Sequence, residues 1–292
     1  IVIDSEAEFT VFDDALVTIE SGAKINGTVT EVTGVLTVQR GGNVQSVAKY
    51  AVYSEGTDGS KTYAGFIAAI ENSNAGDRIT VSGVGYDDGD NKLVVEDSVT
   101  IPADRTVIIT HSIYFDGNLT IDEGATVNNQ NSVYMTDENA TIYVNGVLDN
   151  TSSNADIVFQ SDDADGKRNI YASGEFKTDS SGLKITNATV NGAYYQDGTT
   201  CVVTTFAKAV EAAAGSDSIS DVVYIIGTIS ESGDVTVSGE TTQFVVYVGD
   251  SINGLRGYAT LGNVTLDYAK VLVTRNSEIT GTFIGAYGTE GS

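Results

Sequence analysis

The feature that most constrains this chain is an eight-residue phrase that returns along it. Thr120–Val127 reads TIDEGATV, and related phrases stand at Thr18–Ile25, Thr37–Val44 and Thr100–Val107, with a weaker copy at Met135–Ile142. The first two copies start 19 positions apart, and the next pair starts 20 positions apart. Self-similarity at a short period is typical of repeat proteins, in which each unit buries its apolar side chains against the next one.

A second echo has a much longer period. Phe66–Glu71 reads FIAAIE, and Phe206–Glu211 reads FAKAVE 140 positions later. Both have apolar residues at helical spacing, and each is followed by a polar or glycine-containing stop. The sequence therefore predicts one short helix near 63–74 and another near 204–214.

Short alternating segments rich in Thr, Val, Ile and Tyr surround these helices and are separated by Gly, Asn and Asp turns. We predict a mainly β fold built from parallel β-helix, or β-solenoid-like, modules with one short helix per module. The predicted units are 1–49, a partial β module or N-terminal assembly strands; 50–192, a β-solenoid module; and 193–292, a second β module. A crossover helix in an ordinary α/β unit is the alternative. The two outer units look incomplete in the sequence, so we expect that the chain is a segment of a longer protein made of tandem modules.

Charge and composition exclude several classes of function. The chain has 292 residues with 40 acidic and 15 basic side chains, a formal charge of -25. Such a surface repels nucleic acid and anionic membranes and attracts cations. The hydrophobic fraction of 41% argues against disorder. No apolar run approaches the ~20 residues that a membrane-spanning helix needs.

The sequence offers little for catalysis. His111 is the only histidine and Cys201 the only cysteine. A metal site made of several His or Cys ligands is therefore excluded, and Cys201 has no His or Cys beside it in the sequence that could activate its thiol. A nucleophile-elbow motif is also missing. We therefore predict no catalytic residues and no enzymatic activity.

Acidic turns are the only plentiful reactive groups. Alternating oxygen ligands at Asp88 and Asp90, and at Asp163 and Asp165, suit Ca²⁺, although neither segment completes an EF-hand loop. Solvated turn carboxylates are the simpler interpretation. Calcium is the one cofactor that the sequence suggests, and acid clusters leave a β-helix polysaccharide lyase or hydrolase as a minor alternative.

Two further sets of residues point to the outside of a cell. Six Asn-X-Ser/Thr sequons are candidate glycosylation sites: Asn26, Asn118, Asn139, Asn150, Asn187 and Asn263. The 15 tyrosines could form a sugar-binding ladder, although packing within strands is the commoner role of tyrosine. The apolar start Ile1, Val2 and Ile3 is predicted to pair with the sheet edge of another copy.

The phrases Val99–Ala103, VTIPA, and Leu119–Val127, LTIDEGATV, resemble coils of adhesin-like and surface-layer proteins of archaea and bacteria. The resemblance implies β-solenoid modules and no catalytic residues. We therefore expect an extracellular, cell-surface structural protein that self-assembles with copies of itself into a filament, sheath or lattice. A carbohydrate-binding adhesin module with glycan partners is the alternative.

Overall fold

The chain is mainly β, with strands over 58% of it and two helices in the described part. The computed structural model describes residues 7–13, 15–84, 92–160, 168–179, 182–214, 222–237, 244–248, 251–252, 255–267, 269–273, 278–279 and 283–286.

The strands fall into three consecutive groups. Before the first helix lie β1 (Glu8–Val11), β2 (Leu16–Ile19), β3 (Lys24–Val32), β4 (Val35–Gln39), β5 (Asn43–Val47), β6 (Tyr50–Gly56) and β7 (Gly59–Tyr63). Between the helices lie β8 (Arg78–Val84), β9 (Val94–Val95), β10 (Val99–Ile101), β11 (Thr106–Ile109), β12 (Ile113–Phe115), β13 (Leu119–Ile121), β14 (Thr126–Asn129), β15 (Ser132–Met135), β16 (Thr141–Val144), β17 (Val147–Asn150), β18 (Asp156–Phe159), β19 (Asn169–Ala172), β20 (Glu175–Asp179), β21 (Ile185–Thr186), β22 (Thr189–Asp197) and β23 (Thr200–Thr204). After the second helix lie β24 (Val222–Glu231), β25 (Val235–Val237), β26 (Phe244–Val248), β27 (Ser251–Ile252), β28 (Leu255–Leu261), β29 (Val264–Asp267), β30 (Ala269–Val273), β31 (Glu278–Ile279) and β32 (Phe283–Ala286).

The middle group forms three parallel ladders. The first contains β8, β11, β14, β17 and β20; the second β10, β13, β16, β19 and β22; the third β9, β12, β15, β18 and β21. From β9 to β22, successive strands enter the third, second and first ladders in rotation. The flanking groups also stack in parallel, as β1–β3–β5 and β2–β4 before it, and as β24–β26–β30 and β25–β29–β32 after it.

The short repeat sets the register of these ladders. Thr100 pairs with Thr120 and Val107 with Val127, which are the partners that the repeat predicts. In the first group, Thr18 pairs with Thr37 in the same way. Identical apolar positions therefore lie above one another, because every second residue of a strand points to the same face.

The weaker copy of the repeat at Met135–Ile142 predicts the wrong strand register. It would place Ile142 opposite Val127, but Ile142 pairs with Leu119 and Met135 pairs with Phe115. The spacing along the second ladder also lengthens here, because Ile142 follows Leu119 by 23 positions. An alternating apolar pattern fits several registers equally well, and cross-strand pairing chooses between them.

The core consists of inward-facing side chains stacked along each ladder. In the first ladder they are Ile79, Val107, Val127, Leu148 and Phe176, all fully buried. Burying a side chain of this size stabilises a fold by about 1.5–3 kcal/mol. The repeat therefore contributes to stability in every layer.

The two helices lie where the longer echo predicts them. The first, α1, spans Phe66–Glu71, and the second, α2, spans Phe206–Ala214. Phe66 packs edge-on against Phe115 at 5.8 Å between ring centroids, so α1 joins the core of the middle group. Phe206 belongs to the core cluster of the last group instead.

An antiparallel hairpin precedes each helix and reverses the direction of the sheet. β7 pairs antiparallel with both β4 and β6, and β6 pairs antiparallel with β8. The second hairpin repeats this order, with β23 between β20 and β22, and β22 against β24. Three antiparallel steps separate one parallel stack from the next at each junction.

Candidate assembly surface

One continuous sheet, called the main sheet below, runs from β2 through β4, β7, β6 and the first ladder to β23, β22, β24, β26 and β30. Its N-terminal edge is formed by β2. This strand pairs with β4, and no partner on its other side occurs among the described residues. β1 occupies the corresponding edge of the neighbouring sheet, where it pairs with β3. The two strands together present backbone donors and acceptors that can pair with another strand.

The direction of the open hydrogen-bonding groups follows from the ladder. The Val35 N–H donates to the Ala15 carbonyl at 2.9 Å. In a parallel ladder, alternate residues direct both backbone groups to the same neighbour. The backbone groups of Leu16 and Thr18 therefore point away from β4, toward the open edge.

Two large apolar side chains lie at this edge. Phe12, directly after β1, is 72% exposed, and Leu16 of β2 is 80% exposed. Other described apolar residues of similar size are mostly buried within the ladders. Exposed apolar side chains beside an open strand edge are typical of surfaces that bind another chain.

In the part of the chain that the structure describes, the opposite edge of the same sheet is formed by β30, which pairs with β26. Between β4 and β8 the strand direction reverses three times, and between β20 and β24 it reverses three times again. Each odd number of reversals inverts the direction, and the two inversions cancel. β2 and β30 therefore run in the same direction at opposite edges of one sheet.

Several predicted site residues lie outside the described part of the chain. These are the calcium candidates Asp88, Asp90, Asp163 and Asp165, and the assembly residues Ile1, Val2 and Ile3. Within the described ranges, no three His, Cys, Asp or Glu side chains come together as a metal site. The calcium site and the role of the first three residues stay predictions.

The sequons differ in accessibility. Asn26, Asn139, Asn187 and Asn263 are exposed, and Asn118 is half-buried. Asn150 is the exception, because its side chain is fully buried and its Oδ1 accepts a 2.7 Å hydrogen bond from Asn129 Nδ2. A glycan on that amide would have no room in this fold, so we expect Asn150 to carry none, and the other five sequons stay predictions.

His111 and Cys201, the only histidine and the only cysteine of the chain, both contact neighbouring residues of the fold. The His111 ring lies against Gly83, where an added Cβ would come within 2.1 Å of the ring. Cys201 is buried, with its Sγ 2.7 Å from the Tyr194 hydroxyl. Burial, followed by this hydrogen bond, raises the pKa of Tyr194 above its usual range, so the phenol stays neutral in the fold.

Tyrosines form two stacked pairs on neighbouring strands of the ladders. Tyr114 stacks on Tyr134 with ring centroids 4.5 Å apart, and Tyr143 stacks on Tyr171 at 5.8 Å. Both pairs are direct neighbours in register. Among the described tyrosines, stacking is thus limited to these two pairs, which lie on different ladders, and a sugar-binding ladder stays a hypothesis.

Sequence reasoning missed Phe12, Leu16 and the buried Asn129–Asn150 pair. Phe12 and Leu16 fit the alternating apolar pattern of a core strand, and nothing in that pattern marks a strand as the last of a sheet. The asparagines offered a signal in retrospect, since Asn129 and Asn150 occupy equivalent positions at the ends of β14 and β17.

Neither helix in the described part of the chain has the length and apolar character of a helix that crosses a bilayer. Comparison with protein-family models, with curated proteins and with solved structures found no significant match to this chain. The functional interpretation therefore depends on the geometry of the chain itself.

Proposed function

We propose that this chain is a structural building block whose copies join end to end through the edges of the main sheet. The observation that supports this best is the common direction of β2 and β30 at opposite edges of that sheet. A second copy can place its β2 beside β30 as one more parallel strand. Because every copy then presents a new β30, growth continues without closure and gives a filament or, with lateral contacts, a sheath or lattice.

We further propose that the three ladders of the middle group are the three faces of a β-solenoid. Strands that enter three ladders in rotation support this, because each circuit of the chain then forms one coil. Coil ends of solenoids normally need a polar cap for solubility. A first coil that exposes Phe12 and Leu16 instead fits a surface that another copy covers.

The cellular setting belongs to the same proposal. The likeness of Val99–Ala103 and Leu119–Val127 to coils of archaeal and bacterial surface proteins supports an extracellular, cell-surface location. The charge of -25 keeps separate copies apart at low salt. A non-enzymatic surface filament or surface layer is the function that these features support together.

The test is a proline substitution that blocks the open edge alone. Thr18 is exposed and its N–H points away from β4, so Thr18→Pro removes no hydrogen bond to any residue that the structure describes. The matched control is Thr18→Ala, which keeps the N–H. Negative-stain microscopy and sedimentation should show polymers for the native chain and the alanine variant.

For the proline variant we expect a folded monomer, with the native circular dichroism spectrum. Polymers of Thr18→Pro with the native repeat would contradict joining through β2. A native chain that stays monomeric at millimolar concentration and physiological salt would contradict the proposed function itself.

A further inference from the structure

A cleft opens where the middle ladders meet the last group of strands. It has a volume of about 420 Å³. One wall is the ring of Tyr171 on β19, the floor is Asn191 on β22, and the opposite wall is the end of β24 with Thr228, Ser230 and Glu231. Clefts at the junction of two structural units are common ligand sites.

The aromatic wall is preorganised. Tyr171 stacks on Tyr143 with an interplanar angle of 14°, and the two residues are paired in register on β19 and β16. Yet these rings are 42% and 40% exposed, whereas Tyr114 of the other stacked pair is buried. The next residue in register after Tyr171 is Asn191, whose short side chain leaves the cleft open beside the ring.

The floor is held by a network of hydrogen bonds. The Asn191 Nδ2 donates to Asn169 Oδ1 at 3.1 Å, and the Asn191 Oδ1 accepts from the Thr228 N–H at 2.8 Å. Asn191 thereby ties β24 to β19. The cleft keeps its shape because both walls are anchored to the same buried amide.

The polar wall presents hydroxyls in fixed positions. The Glu231 carboxylate accepts hydrogen bonds from the N–H groups of Phe206 and Ala207, the first residues of α2. Glu231 therefore points to the side of β24 that faces α2 and holds the end of the strand in place. Thr228 and Ser230 are exposed and two positions apart on β24, so their hydroxyls share the other face.

We propose that this cleft binds a neutral sugar residue of a glycan. A sugar ring has an apolar C–H face that matches the Tyr171 ring, and hydroxyls at its edge that match the exposed Thr228 and Ser230 hydroxyls. The overall charge of -25 disfavours acidic sugars. The proposal is independent of assembly, because the cleft lies within one copy.

The experiment measures binding of neutral and acidic oligosaccharides to the Thr18→Ala and Thr18→Pro proteins, so that polymer and monomer are both tested. An array of immobilised glycans identifies the ligand, and isothermal titration gives its affinity. The chain has 15 tyrosines and no tryptophan, so quenching of tyrosine fluorescence provides a second readout.

We expect a neutral glycan to bind and Tyr171→Ala to weaken it roughly tenfold or more, about the size of one aromatic contact. Tyr171→Phe should retain most of the affinity, since it keeps the ring. The control is Tyr134→Ala, which removes a tyrosine from the other stack and should leave the affinity unchanged.

Two results would overturn the proposal. One is an array on which no neutral glycan binds the folded protein. The other is an affinity that Tyr171→Ala leaves unchanged while its circular dichroism spectrum stays native. Because binding is also measured on the Thr18→Pro protein, neither result bears on end-to-end assembly.

Discussion

Replacing Phe12 and Leu16 together by serine should weaken polymerisation without weakening the fold. The two side chains are 72% and 80% exposed, so most of their apolar surface is still in water in the single chain. Complete burial of a Phe or Leu side chain contributes about 1.5–3 kcal/mol. Covering the remaining surface of both side chains should therefore contribute about 3 kcal/mol to each contact between copies.

That free energy converts directly into a concentration. At about 1.4 kcal/mol per tenfold change, the loss of about 3 kcal/mol raises the critical concentration for polymer formation roughly 100-fold. Sedimentation of the double variant and of the native chain over a concentration series measures this quantity. The thermal midpoint of the isolated monomer should stay within about 1 °C, because exposed side chains contribute little to folding.

The matched control is Val94→Ser, which removes a half-exposed apolar side chain from β9, away from the open edge. Its critical concentration should equal the native value. A double variant that polymerises at the native concentration would refute burial of Phe12 and Leu16 between copies, even if polymers form by another contact.

Three further outcomes are expected. Tyr63 is buried with no hydrogen-bond partner for its hydroxyl among the described residues, so Tyr63→Phe should raise the free energy of unfolding by about 1 kcal/mol in urea titrations. Burial, followed by the charge of Asp77, raises the pKa of Tyr63 to about 12. Its neutral form therefore supports the fold fully below about pH 10, and roughly 3 kcal/mol should be lost as the pH rises through 12, a contribution that Tyr63→Phe removes. Asn150→Ala should cost about 1 kcal/mol, because the buried Asn129 amide loses its 2.7 Å acceptor but keeps the Asp156 carbonyl at 3.2 Å, and mass spectrometry of native material should find no glycan at Asn150. Raising the salt from about 10 mM to about 150 mM, which shortens the screening length from about 30 Å to about 8 Å, should lower the critical concentration of a chain with charge -25, as light scattering would detect. A critical concentration that rises with salt would contradict this electrostatic argument.

The parts of the fold that the sequence predicted are those governed by local pattern. The copies at Thr100 and Thr120 lie opposite one another, and both helices begin at the phenylalanines of the longer echo. Helical spacing and two-residue alternation are properties of a short segment, so they can be read without knowing its neighbours. The same alternation failed at Ile142, where several registers bury the same side chains.

The candidate sites were less predictable, because they depend on what lies beside each residue. Leu16 and Val107 both sit in apolar strands, yet among the described strands only that of Val107 has a neighbour on both sides. Tyr171 and Tyr114 both stack on a tyrosine, yet Tyr171 borders a cleft. Exposure of an apolar side chain is a property of the assembled sheet and cannot be read from the segment.

The sequence by itself determined the unit of this protein: a strand-and-turn repeat near 20 residues, a helix 140 residues from its counterpart, and an acidic surface. The tertiary structure alone decided the direction of the strands across the molecule. Both hairpins reverse the sheet, so the two outer edges run the same way. Strand direction depends on pairing between residues far apart in the chain, and no local pattern records which neighbour a strand will choose.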